Sequence, residues 1–161
     1  MVGSRQGAGM SETINYVLGF AFSENAGSVL LVRKLRPEWQ KGLLNGIGGK
    51  IEENEDITSL DAMRRECKEE TGLSLPWMRK GLMQGRCSAV EGYTADDGLR
   101  FQVYIFYAFS QDIFNFEQIE DEILGVYDPL LLRHPDVVEN LTFLIPFGRC
   151  DKDAFMSLNY Q

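Results

Sequence analysis

The sequence predicts an α+β fold, an α/β/α sandwich in which helices pack on both faces of a mixed β-sheet. Segments rich in apolar and β-branched residues precede and follow one strongly capped amphipathic helix, and a second apolar helical segment comes near the end. The order strands, helix, strands, helix fits two helical layers around one sheet. With 161 residues the chain can build one sizeable core, and we expect a single domain over 10–161.

The first quarter of the chain predicts a β-hairpin followed by a loop. Residues 13–22 (TINYVLGFAF) and 28–35 (SVLLVRKL) are β-prone, and the turn residues SENAG lie between them. Residues 36–50 (RPEWQKGLLNGIGGK) include four glycines and are predicted to form a loop.

The clearest helix covers residues 58–73. Thr58 is a good N-cap, Asp61 stands where a capping box has its acid, and Gly72 is placed to end the helix. Residues 100–110 and 122–128 then predict strands. Residues 136–148 predict a last helix, which Pro146 weakens.

The predicted helix carries an acidic face beside its apolar stripe. On a helical wheel the three glutamates Glu66, Glu69 and Glu70 share one side. The residues expected to face the core lie next to them and are Leu60, Met63 and Cys67. Like charges at this spacing repel, and Mg²⁺ or Mn²⁺ would offset them with oxygen ligands. A solvated acidic face is the common alternative. The glycine-rich segment just upstream, where backbone can approach a ligand closely, favours a metal–diphosphate site.

Charge and composition exclude several classes of protein. The net charge of −8 argues against nucleic-acid binding through a general basic surface. No apolar run reaches the roughly 18–20 residues that cross a bilayer, so we expect no membrane association. Residues 1–9 are small and polar, and we interpret them as a tag remnant or a disordered N-terminus. The three cysteines, Cys67, Cys87 and Cys150, have no metal-binding spacing and indicate reduced thiols in a cytoplasmic protein.

Residues 48–73 resemble the Nudix box, G-x5-E-x7-R-E-U-x-E-E-x-G-U, where U is aliphatic. Gly49 and Glu55 match its front, and residues 65–73 match its back, with Cys67 in an aliphatic position. Nine residues, 56–64, follow Glu55 where the family has seven. The extra residues precede Thr58 and leave the helix whole. Either Glu55 or Asp56 could then pair with Arg65, and position alone favours Glu55.

The resemblance implies a divalent cation, Mg²⁺ or Mn²⁺, held by Glu66, Glu69, Glu70 and the carbonyl of Gly49. It implies a catalytic set of Glu66, Glu69 and Arg65, in which Glu66 is a candidate base for the attacking water and Arg65 orients the carboxylates. Members of the family often use one further acid from outside the box. Glu120 and Glu122 are candidates, and a solvated acidic turn is the alternative for each.

The segment before the box is similar to that of MutT-type members of the family, which act on oxidised purine nucleoside triphosphates. By that similarity Asn45 and Asp136 would contact the base and Lys50 the phosphates. Alternatively, Asn45 turns the loop, Lys50 is simply solvated, and Asp136 caps the last helix. Aromatic residues could stack on a base, although core packing is the commoner role for such side chains: Phe20, Phe22, Trp39 and Tyr104.

The implied function is hydrolysis of a purine nucleoside triphosphate, in its ordinary or its oxidised form, to the monophosphate and pyrophosphate. Two alternatives stay open. One is a nucleotide-binding sensor without catalysis, and the other is a hydrolase for ADP-ribose or a dinucleoside polyphosphate. The complete set of three glutamates favours an enzyme. The sequence does not indicate an oligomeric state.

Overall fold

A mixed β-sheet between two helices organises the chain. The computed structural model describes residues 13–86, 100–133, 135–149 and 155–160. In these ranges the elements are β1 (Thr13–Phe22), β2 (Val29–Arg33), β3 (Leu44–Asn45), β4 (Ile47–Lys50), α1 (Ser59–Thr71), β5 (Met78–Arg86), β6 (Arg100–Phe109), β7 (Ile123–Tyr127), α2 (Leu141–Gly148) and β8 (Met156–Tyr160). The expectation for residues 1–9, and those for Cys87 and Cys150, fall outside the described residues.

Strand β1 is the centre of the sheet. It runs parallel to β6 from Thr13 to Phe22 and pairs antiparallel with β2 and β4. The strand order is β3-β2-β1-β6-β5-β8, with β4 joined to β1 and β7 joined to β2. Strands β5 and β8 form a second parallel pair. The sheet is therefore mixed, as the sequence predicts.

Alternate residues of the central strands face two different core layers. Val17 and Ala21 of β1 pack with Ala62, Met63 and Cys67 of α1 on one face. The intervening residues of β1 pack against α2 on the other face, in a cluster that includes Phe20, Phe22, Leu141 and Leu144. This period-two alternation produces the predicted α/β/α sandwich.

The hairpin and the first helix form as the sequence predicts. Ala21 pairs with Leu30 across the β1–β2 hairpin. Thr58 caps α1 by accepting a hydrogen bond from the Asp61 amide at 3.1 Å, and its own amide donates to the Asp61 carboxylate at 3.0 Å. Gly72 ends the helix with a left-handed φ of 75°, a conformation that costs glycine least.

The glycine-rich segment 36–50 is not a loop throughout, so that prediction is wrong in part. It contains β3 and β4, because Ile47–Lys50 pairs with β1. A side chain at Gly48 would run into the backbone carbonyl of Val17. Glycine here therefore allows close strand pairing, although the same residue type is also typical of loops.

The last helix is shorter than predicted, and two strands carry no clear sequence signal. Helix α2 starts only at Leu141, with Asn140 at its N-cap. Val137, inside the predicted helix, forms a parallel bridge with Leu44 instead. Strand β5 mixes charged, polar and glycine residues with apolar ones, so periodicity does not mark it, and the apolar–polar alternation of β8 extends over only five residues.

No helix within the described ranges is long and apolar enough to cross a membrane. The cytoplasmic location stays a prediction.

Candidate functional site

Strand β4 brings backbone directly against the acidic face of α1. A Cβ atom at Gly49 would fall on the carboxylate of Glu66, so only glycine leaves room for that side chain. The amide of Gly48 donates a hydrogen bond to Glu70 Oε2 at 3.2 Å. Gly49, which has no side chain to meet Glu66, and the backbone amide of Gly48, which binds Glu70, therefore hold two glutamates against the strand.

The two inner glutamates, Glu66 and Glu70, are held in a sheltered and strongly acidic environment. Glu70 is only 8% exposed. Burial, with repulsion from Glu66 and Glu120, raises the pKa of Glu70 to about 8, although Lys34 and the Gly48 amide oppose the rise. Burial also raises the pKa of Glu66, against the opposing charge of Arg65. Neighbouring cations thus offset the negative charge of this pair only in part.

Arg65 links the acidic face to the loop before the helix. Its Nε and Nη2 donate to the two oxygens of Asp56 at 2.9 and 2.8 Å, and Nη2 also donates to the Lys50 carbonyl at 3.1 Å. Its Nη1 reaches Glu66 at 3.1 Å and Glu69 at 3.3 Å. Its hydrogen bonds to Asp56 raise the pKa of Arg65 further, so it is a fixed cation that orients carboxylates.

Asp56, and not Glu55, is the main partner of Arg65, so the preference for Glu55 is wrong. Glu55 lies 4.0 Å from Arg65 Nε with 58% of its side chain exposed, whereas the Asp56 side chain is 2% exposed. The turn that begins at Glu52 explains the difference. The Asp56 amide donates to the Glu52 carbonyl at 2.7 Å, and the Glu52 amide donates to Asp56 Oδ2 at 2.8 Å. These bonds turn Asp56 inward.

The two candidate acids outside the box have different surroundings. Both oxygens of Glu122 are occupied, one by Lys34 Nζ at 2.9 Å and the other by the Leu35 amide at 2.6 Å. Glu120 is exposed, and its charge raises the pKa values of Glu66 and Glu70. Glu122 therefore holds the chain at Lys34 and Leu35 in place. Glu120 is the one of the two that has an exposed carboxylate whose charge acts on the inner glutamates.

Lys34 is a residue that the sequence reasoning missed. It follows strand β2 directly, binds Glu122, and lowers the pKa of Glu70 through its charge. A lysine just after a buried strand is a weak signal of a functional residue, because lysines are usually at the surface, where strand ends also lie. Only the fold shows that this one lies beside the acidic face.

The residues expected to contact a base lie on two neighbouring segments. The Leu44 amide donates to the Asp136 carbonyl at 2.9 Å, so the backbone of Asp136 lies beside the residue that precedes Asn45. The Asn45 amide group donates to Gln40 Oε1 at 3.0 Å and accepts from the Gly46 amide at 2.8 Å. Asp136 is exposed and lies outside α2, so the alternative that it caps that helix is wrong.

Lys50 ends the strand that supports the inner glutamates. Its side chain is exposed, and its carbonyl accepts from Arg65. Among the aromatic candidates, Phe20 and Phe22 are fully buried, while Trp39 is 68% exposed and directly precedes Gln40. Trp39 is thus the one of these three whose ring is accessible.

The acidic face has the chemistry of a site for a hard cation. Glu66, Glu69, Glu70 and the Gly49 carbonyl offer the oxygen donors that Mg²⁺ and Mn²⁺ prefer. Within the described ranges, no three His, Cys, Asp or Glu side chains converge as a ready-made metal cluster. Glu69 is turned to Arg65 with 51% of its side chain exposed. The donors are of the type that such an ion takes, but Glu69 would have to turn from Arg65 to join the other two.

Comparison with protein families gives a match over most of the chain. The model of the NUDIX domain matches residues 15–141. This range includes both glycines of β4 and all of α1. A comparison with curated proteins finds no match.

Solved structures with the same fold include two MutT proteins and a NUDIX domain bound to ADP ribose. The MutT protein of Bacillus halodurans is 18% identical, with 92% of this chain and 90% of that chain covered and a TM-score of 0.66. The NUDIX domain of Shewanella oneidensis NrtR, solved with ADP ribose, is 16% identical over 89% and 92%, with a TM-score of 0.69. A MutT NUDIX hydrolase from Burkholderia pseudomallei is 21% identical over 84% and 98%, with a TM-score of 0.57. At these identities the likeness shows the fold.

Proposed function

The chain belongs to the Nudix family, and from this premise we propose that it is a metal-dependent hydrolase of a nucleoside diphosphate-linked substrate. The observation that carries the proposal is the sheltered pair Glu66 and Glu70, held against Gly48 and Gly49 with incomplete charge compensation. A purely structural acidic helix would leave these carboxylates in water, where repulsion is weak.

The cation of this proposal is Mg²⁺ or Mn²⁺. Glu66, Glu69, Glu70 and the Gly49 carbonyl would hold it. Such an ion, when bound, lowers the pKa of its water and offsets the charge that develops on a diphosphate. The pKa of Glu70, about 8 in the protein alone, supports this assignment, because a nearby cation would favour the ionised carboxylate.

Glu66 is the proposed general base. Its carboxylate is 15% exposed, and burial raises its pKa, which makes it a stronger proton acceptor than a solvated carboxylate. The hydrogen bond from Arg65 Nη1 at 3.1 Å fixes its orientation. Arg65 is in turn fixed by Asp56, so we assign both as positioning residues. Glu120 is the proposed acid from outside the box.

The proposed substrate is a purine nucleoside triphosphate, in its ordinary or its oxidised form, cleaved to the monophosphate and pyrophosphate. The pairing of the segments that carry Asn45 and Asp136 supports a purine contact, and the exposed ring of Trp39 would stack on the base. Asn45 would exchange its bond to Gln40 for the purine edge. Lys50, exposed at the end of β4, would contact the phosphates.

A sensor that binds a nucleotide without cleaving it is the second candidate function. The fold it shares with the NrtR domain, which was solved with ADP ribose, favours considering it. The three glutamates favour the enzyme, because binding alone does not require a general base beside a cation site.

A panel of compounds separates these functions. Purine triphosphates, their 8-oxo forms, ADP-ribose and dinucleoside polyphosphates are each incubated with the protein and Mg²⁺, and products are identified by chromatography. We expect monophosphate and pyrophosphate from a triphosphate. Preferential cleavage of ADP-ribose or a dinucleoside polyphosphate would correct the substrate. Saturable binding without any product would support the sensor and overturn the enzyme.

A further inference from the structure

A second cleft lies at the start of α1, away from the acidic face. Its volume is about 470 Å³, and six of its lining residues are Asn15, Ile51, Ile57, Ser59, Arg79 and Tyr104. None of Glu66, Glu69 and Glu70 lines it. The size falls within the range of roughly 300–1,000 Å³ that is usual for small-molecule sites.

Arg79 gives this cleft a cation with free hydrogen-bond donors. Its guanidinium carbon lies 5.4 Å from the centre of the Tyr104 ring and 5.7 Å from that of Phe155. These cation–π contacts hold the group while leaving its N–H edge open. Among the described residues, the Arg79 side chain has no hydrogen-bond partner and no carboxylate within ion-pair distance, while its backbone belongs to the β5–β6 pairing. A planar guanidinium with a free edge is suited to bind a phosphate through two bonds.

Asn15 gives the same cleft an acceptor with no donor. Its Oδ1 is buried and has no hydrogen-bond partner. Buried polar atoms are seldom left unpaired, and each exception calls for an explanation. A hydroxyl group on a bound ligand would supply the missing donor.

Two acids, Glu53 and Asp56, also line the cleft, and Glu53 is exposed to solvent, which screens its charge. The carboxylate of Asp56 is already bound by Arg65 and so repels an anion less. Ser59 begins α1, whose N-terminus carries partial positive charge. Ile57 is 93% exposed over the cleft and offers apolar surface.

We propose that this cleft binds a small phosphate ester that carries hydroxyl groups, of the pentose phosphate type. The phosphate lies on the guanidinium of Arg79, and a hydroxyl donates to Asn15 Oδ1. The site is separate from the proposed hydrolytic site and does not depend on the proposed function.

Titration with ribose 5-phosphate, followed by ¹H–¹⁵N NMR in metal-free buffer, tests the proposal. We expect saturable shifts at Ser59, Arg79 and Tyr104. Arg79→Gln should weaken binding by roughly ten-fold or more, since it removes a charged hydrogen-bond partner. Asn15→Ala should weaken binding of ribose 5-phosphate and leave the weaker binding of inorganic phosphate unchanged.

Arg86→Gln is the matched control. Arg86 is exposed on the same strand but does not line this cleft, so its loss should leave ribose 5-phosphate binding unchanged. The dispersion of each spectrum reports whether the variant is folded, and Arg79→Lys replaces Arg79→Gln if the latter is not. Three outcomes would overturn the proposal: no saturable shift, equal binding by the Arg79 variant, or shifts confined to β4 and Glu70.

Discussion

The carboxylate of Asp56 accepts two hydrogen bonds from Arg65, at 2.9 Å from Nε and 2.8 Å from Nη2. The same guanidinium donates to Glu66 at 3.1 Å. A loop acid therefore sets the position of the proposed base through one shared arginine. The two extra residues before Thr58 are accommodated because the turn from Glu52 directs Asp56, rather than Glu55, toward the helix.

Asp56→Asn should destabilise the protein, while Glu55→Gln should not. The first change removes a buried charge partner of Arg65, and hydrogen bonds to charged groups contribute about 1.5–3 kcal/mol. The second alters a side chain that is 58% exposed, for which about 0.5 kcal/mol or less is usual. Urea denaturation of both variants measures the difference in unfolding free energy. A larger loss for Glu55→Gln would contradict the assignment of the ion pair.

The Asp56–Arg65 pair should also make the free energy of unfolding depend on pH in the acid range. The hydrogen bonds that Asp56 accepts from Arg65 lower the pKa of Asp56 below the ordinary value of 3.8. The contribution is therefore complete above about pH 4, and it is lost as the pH falls through the lowered pKa of the folded state. Denaturation curves between pH 5 and pH 2 should show a steeper loss for the unmodified protein than for Asp56→Asn. Parallel losses would refute the role of this carboxyl.

Glu70 should give the opposite pH dependence. Its pKa is about 8 in the folded chain against an ordinary 4.5, so folding favours the protonated form. The free energy of unfolding should then fall as pH rises from about 4.5 to about 8, and level off above it. Glu70→Gln cannot titrate and should lack this fall. Mg²⁺ should restore stability near pH 8 in the unmodified protein but less in the variant, as thermal unfolding would reveal.

Replacing Gly49 by alanine should mainly reduce turnover, whereas replacing Gly48 by alanine should mainly reduce stability. At Gly49 the new methyl group meets the Glu66 side chain, so Gly49→Ala should displace the base and reduce turnover by about 100-fold with the fold retained. At Gly48 it meets the backbone of Val17, so Gly48→Ala should cost about 1–3 kcal/mol of stability. Turnover and melting temperature are measured for both. Equal effects on both quantities would contradict this division.

Much of the fold follows from local sequence signals. The capping box of Thr58 and Asp61 and the left-handed Gly72 define α1 through contacts within a few residues. Strand β4 could not be predicted in this way, because Gly48 is in a strand only through its pairing with Leu18 of β1, where a side chain would meet the Val17 carbonyl. Strands β5 and β8 likewise depend on long-range pairing with one another.

The candidate site shows the same division between local and tertiary information. The spacing of Glu66, Glu69 and Glu70 on one helix face is a local property that the sequence displays. Their different exposures depend on how β4 lies against α1. The choice of Asp56 over Glu55 and the approach of Lys34 depend on side-chain directions that spacing does not determine.

Turnover of a purine nucleoside triphosphate by Glu66→Gln, with and without Mg²⁺, tests the central claim most directly. Glu53→Gln, which changes an exposed loop acid, is the matched control. We predict Mg²⁺-dependent release of pyrophosphate by the unmodified protein and the control, and a loss of about 100-fold or more in Glu66→Gln with its melting temperature retained. Equal rates in Glu66→Gln and the unmodified protein, or pyrophosphate release that does not depend on Mg²⁺, would contradict it.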